Sequence, residues 1–113
     1  DGITYTAVNN DLLYGMSPKV DNFTEVCTSQ VTNMTKMFYR PDGGPTFNQP
    51  IGGWNTNNVT DMSYMFSSAY AFNQDISDWN VAAVTACSFF CSHGSGLTCP
   101  NTPALPDSCK YCC

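Results

Sequence analysis

Residues 72–80 read FNQDISDWN, and residues 47–55 read FNQPIGGWN. The two stretches share Phe, Asn, Gln, Ile, Trp and Asn at one fixed offset of 25 residues. A period of this length is typical of solenoid proteins, in which each repeat forms one coil that stacks on the next. We therefore expect the remainder of the chain to extend this repeat or to cap it.

A second motif reads VTNMTKMF at residues 31–38, VTDMSYMF at 59–66 and VTACSFFC at 84–91. The first two copies lie 28 residues apart, which is the 25-residue period plus a three-residue insertion in the Gly- and Pro-rich turn of residues 39–46. Apolar residues of the second copy recur at helical spacing, so the motif predicts a short helix. The segment from Ile to Trp in the FNQ motif predicts a short strand or an extended turn.

Together the two motifs predict an α/β repeat fold, a short leucine-rich-repeat-like solenoid of about three coils. The expected coils are residues 20–46, 47–71 and 72–91. The N-terminal cap is expected at residues 1–19, with a short helix or, alternatively, a short strand over residues 3–8. A cysteine-rich C-terminal cap is expected at residues 92–113. The predicted core comprises Met34, Phe47, Ile51, Trp54, Met62, Met65, Phe66, Phe72, Ile76 and Trp79.

Composition excludes several classes of partner. Four Lys and Arg residues stand against nine Asp and Glu residues, which gives a formal net charge of −5. Without a basic patch, nucleic acids and anionic lipids are poor partners. No apolar run approaches the roughly 20 residues of a membrane span, and the chain begins at Asp1 without an apolar leader. We therefore expect a mature secreted chain with no membrane span.

Seven cysteines in 113 residues indicate an oxidising compartment, where disulfides supplement a small core. Because the count is odd, three bridges would leave one sulfur for an intermolecular bond or a free thiol. The sequence does not select the pairing. Zinc binding is the alternative, and we favour disulfides because the cysteines lie in loop-like sequence. The candidates are Cys27, Cys87, Cys91, Cys99, Cys109, Cys112 and Cys113.

The combined pattern F-N-Q-x-I-x-x-W-N followed by V-T-D-M-x-x-M-F resembles the BspA-like leucine-rich-repeat surface proteins. The resemblance covers residues 20–91 and is closest between Phe47 and Trp79. It implies an extracellular solenoid that serves in adhesion or protein–protein contact, and it implies no catalytic residues. Members of that family usually have many repeats, whereas the chain has about three coils, and its cysteine-rich tail is not part of the repeat motif.

The residues offer no catalytic or cofactor site. The only histidine, His93, lies in a Ser- and Gly-rich loop without a recognisable nucleophile and orienting partner. The acidic residues match no compact calcium-binding loop. We therefore predict a protein that is not an enzyme and that needs no metal or cofactor.

Two further sets of residues are candidate sites. Asn22, Asn33 and Asn58 each begin an N-x-Thr sequence, the acceptor pattern for N-glycosylation in a eukaryotic secretory pathway. Thr32, Thr60 and Thr85 occupy one repeat position, and such a row could bind ice or a regular polysaccharide. The alternative, which we favour, is that each threonine serves its own turn or helix cap.

The sequence thus favours a non-enzymatic, extracellular structural or adhesive protein, such as a self-assembling subunit of a cell-surface fibre or filament. Its partners would be other copies of itself or an extracellular protein or glycan. The alternative is a module that binds a glycan, ice or a host protein through one face of the solenoid.

Overall fold

The computed structural model describes residues 5–15, 22–39, 47–92, 94–106 and 109. Near the N-terminus, β1 (Thr6–Ala7) pairs in parallel with β2 (Val26–Cys27). Thr6 lies opposite Val26, and Ala7 lies opposite Cys27. The short strand and the short helix considered for the N-terminus both exist in part, because α1 (Asn10–Tyr14) follows β1 directly.

Two 3-10 helices complete the regular elements of the described residues, at Phe23–Glu25 and Cys99–Asn101. The prediction of an α/β leucine-rich-repeat-like solenoid is therefore wrong. The expected coils do not each carry a helix and a strand, and the described chain has only one two-stranded sheet. The radius of gyration is 13.0 Å, which is the value of about 13 Å expected for a compact globule of this length.

The predicted helix over residues 59–66 is replaced by tight turns. The amide of Val59 donates to the carbonyl of Thr56 at 3.1 Å, and that of Met65 donates to Met62 at 3.2 Å. Both bonds span three residues, as in a β-turn. Tyr64 then adopts left-handed backbone with φ 59°. A left-handed residue cannot continue a right-handed helix, so the apolar spacing is served by turns.

Backbone hydrogen bonds join these turns to one another across the chain. The amide of Met34 donates to the carbonyl of Asp61 at 2.9 Å, and that of Met62 donates to Ala86 at 2.8 Å. Isolated parallel bridges pair Asp61 with Asn33 and with Ala86. The segments 31–38, 59–66 and 84–91 therefore lie side by side and parallel, although no extended strand forms.

The core lies beneath these turns and is rich in aromatic rings. The indole rings of Trp54 and Trp79 are parallel, with centroids 6.1 Å apart. Phe38 stacks on Phe47 at 4.1 Å, and Phe66 stacks on Phe72 at 4.3 Å. All ten residues placed in the core on sequence grounds are buried.

Each buried tryptophan also satisfies its polar group. The Nε1 atom of Trp54 donates to the carbonyl of Phe23 at 2.8 Å, and Nε1 of Trp79 donates to Ile51 at 3.1 Å. A buried indole N–H without an acceptor would lose the water it had in the unfolded chain. The tryptophans therefore both fill the core and tie one segment to the preceding one.

Gly52 allows two segments to approach closely. A Cβ atom at this position would lie 2.4 Å from the carbonyl oxygen of Asp75. Real Cβ atoms do not approach backbone so closely, so any side chain here would push the two segments apart. The glycine is thus required by packing between the two copies of the FNQ motif.

Replacing Trp79 by Ala should lower the free energy of unfolding by about 3–5 kcal/mol, because it removes a large buried ring and a buried hydrogen bond. Urea unfolding followed by circular dichroism measures the change. The matched control is Leu12→Ala, since Leu12 is 57% exposed on α1, and it should change stability by less than about 0.5 kcal/mol. Equal effects of the two substitutions would contradict this account of the core.

Candidate binding surface

Three large side chains occupy equivalent turns with left-handed backbone. The φ angles are 57° at Lys36, 59° at Tyr64 and 57° at Phe89. This conformation costs an L-residue about 1–2 kcal/mol, and Gly or Asn adopts it most readily. The amide of Lys36 donates to Ser63 at 2.9 Å, and that of Tyr64 donates to Ser88 at 3.0 Å. These bonds set the three left-handed residues in one column.

At the surface, the side chains of this column lie together with the side chain of Tyr39. The rings of Tyr64 and Phe89 stack, with centroids 5.2 Å apart and an interplanar angle of 29°. Tyr39 meets Tyr64 edge to face at 6.1 Å. The Nζ atom of Lys36 lies 5.6 Å from the centroid of Tyr64 and 5.8 Å from that of Tyr39. We call Lys36, Tyr39, Tyr64 and Phe89 the aromatic strip.

The aromatic strip is accessible to solvent. Phe89 is 36% exposed, Tyr39 and Tyr64 are half-buried, and Lys36 is exposed. Lys36 is the single basic residue among the described residues, and its ammonium lies over two tyrosine rings. A cation over a ring face is attracted by the ring quadrupole. The strip therefore combines a positive charge, two phenol hydroxyls and apolar ring atoms.

The three threonines of the predicted ligand row do lie in one exposed row. Their hydroxyls, however, are already used within the chain. The Oγ1 atom of Thr60 donates to the carbonyl of Thr32 at 3.2 Å, and Oγ1 of Thr85 donates to that of Thr60 at 3.4 Å. The side-chain amide of Asn10 donates to Oγ1 of Thr32 at 3.1 Å. A ligand would have to compete with these bonds, and a role in binding stays a prediction.

The three predicted glycosylation residues are exposed, and each side chain has a structural partner. The Oδ1 atom of Asn22 accepts from the amide of Thr24 at 2.9 Å, and that of Asn33 accepts from Thr35 at 2.9 Å. The Nδ2 atom of Asn58 donates to the carbonyl of Ser29 at 2.8 Å. The first two thus support local turns, and Asn58 links two segments. Glycosylation stays a prediction.

Of the predicted disulfide cysteines, Cys87 and Cys109 form a bridge that ties the third segment to the C-terminal region. Cys91 and Cys99 are also disulfide-bonded. Cys27 is unpaired and exposed. Cys112 and Cys113 lie outside the described residues, as does His93.

Cys27 borders a groove of about 320 Å³ whose walls include Tyr5, Gly53 and Trp54. The Sγ atom lies 3.4 Å from Oγ of Ser29. Hydrogen bonds from the Ser29 side chain and backbone lower the pKa of the Cys27 thiol, against a smaller opposing effect of desolvation. Because the thiolate is the reactive form of cysteine, the shift favours reaction with another sulfur.

At the N-terminal edge of the parallel segments, α1 supplies hydrogen-bond partners for backbone groups. The Oδ1 atom of Asn10 accepts from the amides of Thr32 at 3.0 Å and Asn33 at 3.3 Å. The hydroxyl of Tyr14 donates to the carbonyl of Thr35. The side chains of α1 therefore stand in for a further segment at this edge.

The part of the chain that the structure describes contains no group of three or more His, Cys, Asp or Glu side chains placed to hold a metal ion. No helix there has the length and apolarity needed to cross a membrane.

Sequence reasoning overlooked the aromatic strip. Lys36, Tyr64 and Phe89 occupy the sixth position of the second motif, which carries a large side chain in all three copies. That regularity was visible in the sequence. The left-handed backbone that turns these side chains outward was not.

A family model described as "Mycoplasma protein of unknown function, DUF285" matches residues 9–99. The chain belongs to the DUF285 family. Neither the curated proteins nor the solved structures provide a match to this DUF285 chain. The family match spans α1, the aromatic strip and the three parallel segments, so these features lie inside the region that defines membership.

The contact of Tyr14 with the parallel segments should make stability sensitive to alkaline pH. Burial, and secondarily the negative charge of Asp61, raise the pKa of Tyr14 to about 12, against about 10 in an unfolded chain. A raised pKa means that the stabilising contribution is complete below pH 10 and is lost as pH rises through 12. The stability advantage of the native chain over Tyr14→Phe should therefore shrink across this range in urea unfolding.

Asp61→Asn is the control for the contribution of the Asp61 charge to the Tyr14 pKa. It removes the charge that raises the Tyr14 pKa, while its Oδ1 atom can still accept from Ser63 as Oδ1 of Asn33 accepts from Thr35. The ultraviolet absorbance of Tyr14 is isolated by subtracting the spectrum of a Tyr14→Phe chain, with Asp61→Asn present in both chains. The absorbance change on deprotonation should then occur at a lower pH than in the same comparison with Asp61 in place. An unchanged titration would rule out the influence of Asp61.

Proposed function

We propose that this DUF285 chain is a non-enzymatic adhesive module of an extracellular surface. The observation that carries the proposal is the aromatic strip, where Lys36, Tyr64 and Phe89 hold left-handed backbone at the surface. Strained conformations of this kind concentrate at ligand clamps and other functional sites. Large accessible aromatic residues beside a cation are also typical of interaction surfaces.

The scaffold beneath the strip suits an adhesive role because it holds the strip in a defined shape. Successive backbone bonds link Lys36 to Ser63 and Tyr64 to Ser88, and the Phe66 amide donates to Phe90 at 2.8 Å. Binding to a surface that is already ordered loses less conformational entropy than binding to a mobile loop.

Two considerations support an extracellular location. The bridge between Cys87 and Cys109 is of a kind that persists in oxidising compartments. The sequence motifs also resemble those of BspA-like surface proteins, and from that resemblance we carry over the location and the adhesive role. The leucine-rich-repeat fold is not carried over.

Adhesion is tested with beads that carry the chain and are washed over films of gelatin, mucin and insoluble polysaccharide. We expect retention on at least one film. Combined substitution of Lys36, Tyr64 and Phe89 by Asn should weaken retention at least tenfold, about 1.4 kcal/mol, because Asn keeps the left-handed backbone without the large side chain. A control with Gln30→Ala, Asn57→Ala and Ala82→Ser changes exposed positions on other turns. Equal retention of both variants would overturn the proposal.

Self-assembly into a fibre or filament is the second candidate function, and Cys27 is the observation that favours it. Its thiol is unpaired and exposed at the end of β2. The amide of Val8 donates to the carbonyl of Cys27 at 3.0 Å, so the backbone groups of the preceding Ala7 point away from β2. A second copy could thus meet both an open strand edge and a reactive sulfur.

In the presence of oxidised glutathione, two chains should become linked through Cys27. Two thiols lose two electrons and two protons to one oxidised glutathione, which becomes two reduced glutathione molecules. Non-reducing electrophoresis should show a dimer that Cys27→Ser abolishes and that Ser29→Ala forms more slowly, because its Cys27 pKa is less depressed. A strict monomer under these conditions, by sedimentation as well, would contradict self-assembly through Cys27.

A further inference from the structure

We infer that the aromatic strip is a binding site for a neutral polysaccharide built from pyranose sugars. The inference rests on the proposed adhesive function and names the class of ligand that the strip would recognise.

The ring contacts determine which part of Tyr64 reaches the solvent. The face of Tyr64 is engaged by Phe89, at a centroid distance of 5.2 Å, and by the Lys36 ammonium at 5.6 Å. With its faces engaged by these two groups, the half-buried ring of Tyr64 presents its edge to the solvent. An aromatic ring is electropositive at its edge and electronegative at its face. Tyr64 therefore offers a ring edge that suits the oxygen atoms of a ligand.

Lys36 and the two tyrosines of the strip supply hydrogen-bond donors. Lys36 carries three N–H donors and no acceptor, and each tyrosine hydroxyl is both a donor and an acceptor. Donors and apolar ring atoms thus alternate over a short distance. A pyranose alternates in the same way, with hydroxyl oxygens around an apolar carbon ring.

The charge of the chain favours neutral over acidic polymers. The chain has a formal net charge of −5, and among the described residues Lys36 is the single basic side chain against five carboxylates. A polyanion would meet long-range repulsion that one ammonium does not offset. A neutral polymer meets no such barrier and uses the Lys36 donors at short range.

The residue types at the left-handed positions also favour a role for the side chains. If the turns alone mattered, Gly or Asn would serve them with less backbone strain. Lys36, Tyr64 and Phe89 instead place large side chains there. The substitution Tyr64→Asn therefore removes the ring while favouring the same backbone conformation, which separates a role in binding from a role in shaping the turn.

The test is affinity electrophoresis of the full chain through gels that contain dextran, laminarin, galactomannan or, as the acidic polymer, polygalacturonate. We expect at least one neutral polysaccharide to retard the native chain, and polygalacturonate to leave its mobility unchanged. Tyr64→Asn should weaken the retardation at least tenfold, and Tyr64→Trp should retain it. The melting temperature of each variant, measured in parallel, shows whether the chain is still folded.

The inference is overturned if no neutral polysaccharide retards the chain, if polygalacturonate retards it as strongly, or if a folded Tyr64→Asn variant binds as the native chain does. Lys36→Asn is the second variant, and it should weaken binding by removing the ammonium donors even where Tyr64→Asn unfolds the chain. If the bead assay shows adhesion that depends on the strip while every neutral polysaccharide fails here, the ligand class is wrong and the adhesive function stands. If strip-dependent adhesion fails as well, both fall.

Discussion

The structure depends on backbone hydrogen bonds between segments that lie 25 to 28 residues apart. The amides of Met34 and Met62 donate to carbonyls of the following segment. The side chains of both methionines are fully buried. In a chain with so little helix and sheet, each buried amide needs an acceptor from elsewhere in the sequence. The parallel alignment of the segments supplies those acceptors, and it also fixes which side chains point outward.

The abundance of Asn, Asp and Thr follows from the same constraint. Oδ1 atoms of Asn33, Asp61 and Asp75 each accept from the amide two residues further on, which is the geometry of an Asx turn. The buried hydroxyls of Thr28 and Thr56 donate to carbonyls of the next segment at 2.9 and 2.8 Å. Polar side chains thus provide local hydrogen bonds to backbone groups that helix and sheet ladders satisfy in other folds. This role requires few charged residues.

The sequence period predicts which residues are buried, but it does not predict the backbone conformation of the turns. The period located the buried residues, since Trp54 and Trp79 at an offset of 25 do stack in the core. Val59, Met62 and Met65 recur every three residues, and this spacing predicts a helix. The prediction is wrong because i to i+3 recurrence suits consecutive turns as well. The left-handed φ angle of Tyr64 distinguishes consecutive turns from a helix. The residue types at that position do not predict left-handed backbone. The strip was missed for that reason.

The edges of the parallel segments limit how copies of the chain can associate. At the N-terminal edge, Asn10 and Tyr14 of α1 already occupy the donors and acceptors of the first segment. At the opposite edge, the disulfide between Cys87 and Cys109 ties segment 84–91 to the C-terminal region. A second copy that stacked on the N-terminal edge would have to displace the bonds made by Asn10 and Tyr14. Growth of a fibre by continued stacking on that edge is therefore disfavoured, which leaves side-chain surfaces, the outward-facing backbone of Ala7 and the Cys27 thiol for self-association. The aromatic strip crosses all three segments, with Lys36, Tyr64 and Phe89 contributed by one segment each, so a ligand bound there would displace none of these backbone bonds.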